Sequence, residues 1–216
     1  MICISLVDKS FKECLAITRQ WEMAEVRMDR LELGMDEIKM LFNASPGLIA
    51  TCRKGGMTDD ERWQRLSGAV SSGAAWVDID MESDEPFRKD LTRLATKYRC
   101  RIIISYHNFN ATPGSGDLES LALKCIRMGG DVAKIACMVR EIPDTVRLLK
   151  LYELDIQVIS IGMGRLGRIT RLAAPFLGAP FTYASAGTGQ EAADGQIAGE
   201  DMKRIYELLN KSQPSS

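Results

Sequence analysis

Asp131-Val132-Ala133-Lys134-Ile135-Ala136 is an apolar run with a lysine at its centre. As a β-strand its side chains alternate faces, so Val132, Lys134 and Ala136 share one face and Ala133 and Ile135 the other. If both faces are covered, the ammonium loses its water, and burial disfavours the charged form of a lysine. An unprotonated lysine amine is a nucleophile toward carbonyl carbons. On an edge strand the same residue would simply point into solvent, so the flanking sequence has to decide between the two.

Outward from this stretch, short apolar runs alternate with longer amphipathic segments. Strands are expected over 2–7, 24–28, 48–52, 76–81, 101–106, 131–136, 156–161 and 181–184. Helices are expected over 11–21, 36–43, 59–72, 86–98, 118–128, 143–153, 164–177 and 199–210, with Pro86 well placed in a first turn. Strands that alternate with helices imply parallel pairing, because a parallel neighbour is reached only through a crossover. Eight β-then-α units with nothing left over point to an α/β fold, a single-domain (β/α)8 TIM barrel spanning 1–211. The last five residues, 212–216, read as a polar, disordered tail. In a barrel, 131–136 is a wall strand rather than an edge.

Composition agrees with a soluble enzyme-sized domain. The 216 residues suit one domain, and 45% hydrophobic with 26% charged residues supply an ordinary globular core. A formal charge of −1, from 28 basic and 29 acidic residues without long runs, argues against nucleic acid or an anionic membrane as partner. The cysteines Cys3, Cys14, Cys52, Cys100, Cys125 and Cys137 form no CxxC pair, and most lie in apolar runs where cysteine behaves as a small hydrophobe. With one histidine in the chain a structural zinc site is not expected. The N-terminal run is too short for a signal segment, and no stretch approaches the roughly 20 apolar residues of a membrane span. A cytoplasmic protein is expected.

Barrel active sites lie at the C-terminal ends of the strands. The ionic residues follow that rule: Glu25, Arg27 and Asp29 alternate at strand two, Asp78 and Asp80 at strand four with Glu82 beyond, Arg53 ends strand three, and His107 ends strand five. Strands covered on both sides leave no wet face, so these charges are expected to satisfy one another around a polar pocket. His107 on the strand before Lys134 suits acid/base work, and Lys134 suits imine formation with a carbonyl substrate. Arg27, Arg53 and Arg171 offer guanidinium forks for a carboxylate. The run Gly162-Met163-Gly164-Arg165-Leu166-Gly167 invites a phosphate loop, although neither GxGxxG nor GxxxxGK[ST] is present. The glycine- and alanine-rich segment up to Gln196 suits a lid.

Taken in order, EVRMD at 25–29, ATCR at 50–53, SYHNF at 105–109, DVAKIA at 131–136, SIGMGRLGRITRL at 160–172 and DGQI at 194–197 resemble type I 3-dehydroquinate dehydratase over nearly the whole chain. The resemblance implies a (β/α)8 barrel, no cofactor or metal, a homodimer, and a place in the shikimate pathway of aromatic amino-acid biosynthesis. It implies that Lys134 forms a Schiff base with the C3 ketone of 3-dehydroquinate. His107 would then take the C2 proton and assist loss of the C1 hydroxyl, giving 3-dehydroshikimate. It assigns the substrate carboxylate to Arg171 with Arg53 nearby, ring hydroxyls to Glu25 and Arg27, ring packing to Met163, and closure to Gln196. Two departures stand out. Arg53 runs directly into Lys54, Gly55 and Gly56, where the family often carries a longer loop with a glutamate. Ala192, Ala193 and Asp194 replace the usual Ser or Thr followed by Ala-Pro, removing one hydroxyl contact. The alternatives are another Schiff-base barrel, such as a class I aldolase, which would call for a firmer phosphate loop, and a non-catalytic barrel, which would not need Lys134 and His107.

Overall fold

Parallel strands and helices alternate along residues 1–211, the part of the chain described by the computed structural model. The order is β1 (Ile2–Leu6), α1 (Phe11–Gln20), β2 (Ala24–Arg27), α2 (Met35–Ala44), β3 (Leu48–Thr51), α3 (Asp59–Ser71), β4 (Trp76–Asp80) and α4 (Glu85–Lys97). It continues through β5 (Arg101–Asn108), α5 (Ser115–Arg127), β6 (Val132–Met138), α6 (Ile142–Lys150), β7 (Val158–Met163), α7 (Arg168–Ala173), β8 (Thr182–Ser185) and α8 (Gly199–Lys211). The tail expected over 212–216 lies outside the described residues. No described helix is long and apolar enough to cross a membrane.

The strands pair in the order β7-β6-β5-β4-β3-β2-β1-β8, every ladder parallel. Period-two alternation divides their side chains between two cores. Ile4, Val26, Ala50, Val77, Ile104 and Ile135 point outward and pack under the helices. Cys3, Met23, Ile49, Trp76, Ile103, Val132, Ile159 and Phe181 point inward and fill the lower half of the barrel. Trp76 of β4 meets Phe181, the residue before β8, edge-on at 5.5 Å across this floor. One residue pair further along the strands the interior turns polar, with Ser5 opposite Glu25, Thr51 opposite Asp78 and Ser105 opposite Lys134. The apolar floor thus forces the site toward the C-terminal mouth.

Four expected elements end or break elsewhere. β5 and β6 run on to Asn108 and Met138, which places His107 within the wall rather than just beyond it. Asp29 falls in the turn after β2. The helix expected over 164–177 is broken into a 3-10 turn at Arg165–Gly167, α7, and a second 3-10 turn at Ala174–Leu177. Pro175 has no N–H to offer the Arg171 carbonyl four residues back. That carbonyl is satisfied instead by the Thr182 hydroxyl at 2.8 Å and the Tyr206 hydroxyl at 3.1 Å. The break therefore pins Arg171 against the barrel.

Candidate active site

Lys134 projects from the middle of β6 into the polar layer, with its side chain 5% exposed. Its Nζ donates to Asp78 Oδ2 at 2.9 Å and to Glu25 Oε1 at 3.2 Å. The desolvation expected of a buried ammonium is thereby offset by two carboxylates. Each carboxylate has further partners. Glu25 accepts from the Ser5 hydroxyl at 3.3 Å and the Thr51 hydroxyl at 3.1 Å. Asp78 accepts from Arg53 Nη2 at 2.7 Å and from the Ser105 hydroxyl at 2.6 Å. Burial alone would raise the Asp78 carboxyl pKa, but the Arg53 and Lys134 cations hold it well below the usual carboxylate range. The layer is a connected network with its partners satisfied.

The three candidate arginines separate at this point. Arg27 grips Asp29 with two bonds, Nε to Oδ1 at 3.0 Å and Nη2 to Oδ2 at 2.6 Å. Arg53 spans Asp78 and Asp80, and burial, which would lower its pKa, is outweighed by these carboxylates and Glu25 so that the pKa is raised. Arg171 has no ion pair with any carboxylate of the described residues. It is 2% exposed, and its Nε is buried without a hydrogen-bond partner. Burial pushes its pKa down to about 10 against the opposing pull of Glu25, Tyr183 and Asp194. A buried, unpaired guanidinium is a seat for an incoming anion.

His107 on β5 sits opposite Ala136, one inward step toward the mouth from the Ser105–Lys134 pair. Its ring stacks on Phe109 with centroids 6.1 Å apart. Burial, Arg53 and Lys134 push its pKa well below the ordinary histidine value, with Asp78 pulling the other way. The imidazole is neutral near pH 7 and free to accept a proton. Met163 ends β7 and is buried at the wall.

The segment expected to act as a lid is tied down at its C-terminal end. Gln196 reaches into the barrel, where its Nε2 donates to the Ser5 hydroxyl at 3.1 Å and its Oε1 accepts from Ala192 N–H at 2.6 Å. Gly164 N–H donates to the Asp194 carbonyl at 3.2 Å. A Cβ on Gly195, whose φ is +81°, would lie 2.5 Å from the Gly164 carbonyl oxygen. The glycine run is a packing surface as well: a Cβ on Gly162 would lie 2.7 Å from Gly167 Cα. Its glycine amides are already used, Gly162 N–H by the Thr170 hydroxyl at 2.8 Å and Gly167 N–H by the Gly164 carbonyl at 3.1 Å. The glycine amides that a phosphate loop would offer are thus engaged within the fold.

A cavity of about 650 Å3 opens at the mouth, and Glu25, Arg27, Arg53, His107, Lys134, Met163, Arg171 and Gln196 all line it. These eight candidate residues are thus brought to one place. The family model described as type I 3-dehydroquinase matches residues 2–213. The chain belongs to the type I 3-dehydroquinase family. It is 36% identical over 225 residues to the 3-dehydroquinate dehydratase of Methanothermobacter thermautotrophicus, covering 96% of this chain and 97% of the relative. It is 34% identical to that of Thermococcus onnurineus over 87% of each chain. The crystal structure of 3-dehydroquinate dehydratase from Geobacillus kaustophilus superposes with a TM-score of 0.86 at 26% identity, covering 99% of this chain and 92% of that one.

As a type I 3-dehydroquinase this chain has an open rim at β3–α3. Lys54 is largely exposed, and a Cβ on Gly55 or Gly56 would meet nothing within 4 Å. Asp194 in the lid falls within the field of the Arg171 guanidinium, whose charge it supports. Residues overlooked from the sequence are the interior hydroxyls of Ser5, Thr51 and Ser105, and Tyr183. Each is a polar or amphipathic residue at the inward parity of an otherwise apolar strand, which is the signal that could have found them.

Proposed function

We propose that this chain is a 3-dehydroquinate dehydratase that eliminates water through an imine on Lys134. The observation that carries the proposal is Lys134 opening, from within the wall, into the same cavity as a neutral His107 and an unpaired Arg171. The substrate carboxylate docks on Arg171, the one cavity arginine among the three candidates without an internal carboxylate. This orients the C3 ketone toward Nζ. The amine, once relieved of a proton within the carboxylate layer, adds to C3, and loss of water gives the protonated imine. That cation is an electron sink, so His107 can remove the C2 proton to form an enamine. The enamine electrons expel the C1 hydroxyl, which leaves as water with the proton held on His107. Hydrolysis returns the free lysine and 3-dehydroshikimate. Arg53 lies near the carboxylate, Arg27 and Glu25 contact ring hydroxyls, Met163 packs on the ring, and Gln196 closes over it.

The test is borohydride reduction in the presence of 3-dehydroquinate followed by intact mass and peptide mapping. A covalent adduct on Lys134 is expected; no adduct, or one at another residue, refutes the mechanism. His107→Ala should still trap imine but lose turnover by at least ~100-fold. The assembly implied by the same kinship is a homodimer, which light scattering would place near twice the 24.0 kDa chain mass.

A further inference from the structure

The floor of the cavity holds an aromatic column with no role in the reaction as derived so far. Trp76 meets Phe181 edge-on at 5.5 Å, and Phe181 meets Tyr183 edge-on, also at 5.5 Å. Tyr183, from β8, is 2% exposed and registers with Cys3 on β1. Its ring face stands 4.0 Å from Lys134 Nζ. The ring is thus a third partner of the lysine nitrogen beside Glu25 and Asp78, and it is the only one of the three that is uncharged. Edge-on packing against Phe181 leaves Tyr183 little freedom to turn away.

From this geometry we infer that Tyr183 is a positioning residue for Lys134, its ring face holding the nitrogen in its cationic states. The inference rests on the imine reading above. The reason lies in what substrate binding does to the other two partners. When Nζ bonds to carbon it loses hydrogens that had been donated to the carboxylates, but the nitrogen of a protonated imine is still a cation. A π face attracts a cation without needing a particular N–H direction. A carboxylate hydrogen bond does need one. The ring therefore keeps contact with the nitrogen through the change from ammonium to iminium. It does so without a negative charge that would draw the iminium proton away and collapse the electron sink.

The Tyr183 hydroxyl does not share this work. It is buried without a hydrogen-bond partner, so it contributes neither a bond to Lys134 nor one to the carboxylates. The ring alone is assigned the role, and this separates the inference from an acid/base role for the phenol.

Cation–π contacts span roughly 2-fold at exposed positions to 30-fold or more when desolvated. Tyr183→Phe keeps the face and should hold the fraction of ligand-saturated enzyme trapped by borohydride within ~3-fold of the parent. Tyr183→Leu removes the face and should lower that fraction about 10-fold, with kcat falling more than KM rises. Because a leucine there could disturb the floor, a second series retains ring shape: Tyr183→Phe carrying one, two or more fluorines, which drains the π face stepwise. Trapping should fall with each fluorine while Tm stays constant. A flat series, or Tyr183→Leu trapping as well as the parent, overturns the assignment. Failure of the parent enzyme to trap any imine would instead defeat the underlying mechanism, so the two failures are distinguishable.

Discussion

Replacing Asp78 with asparagine preserves the side-chain shape and removes the charge on which Lys134 and Arg53 converge. The carboxylate accepts from Lys134 Nζ at 2.9 Å, Arg53 Nη2 at 2.7 Å and Ser105 Oγ at 2.6 Å, with no exposed side-chain surface. Removing one partner of a buried ion pair costs about 3–5 kcal/mol, because the remaining charge is left uncompensated. Glu25 still faces Lys134 and Asp80 still faces Arg53, so the lower end, about 3 kcal/mol, is expected for Asp78→Asn. At about 2–4 °C per kcal/mol for a chain of this size, Tm should fall by about 6–12 °C in calorimetry at pH 7. The pH dependence follows from the Asp78 carboxyl, which Arg53 and Lys134 hold well below its usual range against the effect of burial. A depressed carboxyl stabilises the fold above its unfolded pKa, near 3.9, and loses that contribution as pH falls toward the folded value. The Tm difference between parent and variant should stay level from pH 7 to about 5 and narrow only below about 4. An unchanged Tm at pH 7, or a difference that already closes by pH 5, would refute the network as described.

Three further outcomes follow from other parts of the site. Arg171→Met should raise KM roughly 10- to 150-fold, the worth of a charged hydrogen-bonded contact, without lowering Tm, since the guanidinium is buried with an unpartnered Nε; a steady-state assay with unchanged KM would remove it from carboxylate binding. Because burial, Arg53 and Lys134 depress His107, the base stays unprotonated as pH drops through the ordinary histidine value, so kcat/KM should be flat from pH 8 to about 6.5 with its acid limb lower. A limb centred at or above 6.5 contradicts the assignment. Gly195→Ala places a Cβ 2.5 Å from the Gly164 carbonyl in a left-handed backbone, a strain of about 1–3 kcal/mol. The lid should detach, seen as faster proteolytic nicking within 186–195 and a higher KM; parental nicking rates would mean that the latch does not hold the lid.

Much of this protein was legible before any coordinates, because its information is local and periodic. Alternation of apolar strands with amphipathic helices specifies a parallel sheet through the need for crossovers, and eight units leave only closure. The inward parity of Glu25, Arg27, Lys134 and His107 is a period-two property of each strand, so their convergence on one cavity could be anticipated. The broken helix after β7 was less legible: Pro175 marks the break, but the loss of a helical donor to the Arg171 carbonyl matters only once Thr182 and Tyr206 are beside it.

What the tertiary structure alone decided is who pairs with whom. As residue types Arg27, Arg53 and Arg171 are equivalent forks, told apart in the sequence only by the family resemblance; the positions of Asp29, Asp78 and Asp80 are what leave Arg171 unneutralised. The glycine run at 162–167 has the composition of an anion loop, yet its glycine amides bond to Thr170, Asp194 and Gly164 within the fold. Lys134 itself was conspicuous as a lone charge, but nothing along β6 could reveal Glu25, Asp78 and the Tyr183 ring around it. Pairing of charges depends on distances across the barrel between residues up to 109 positions apart, and those distances exist only after the chain has folded.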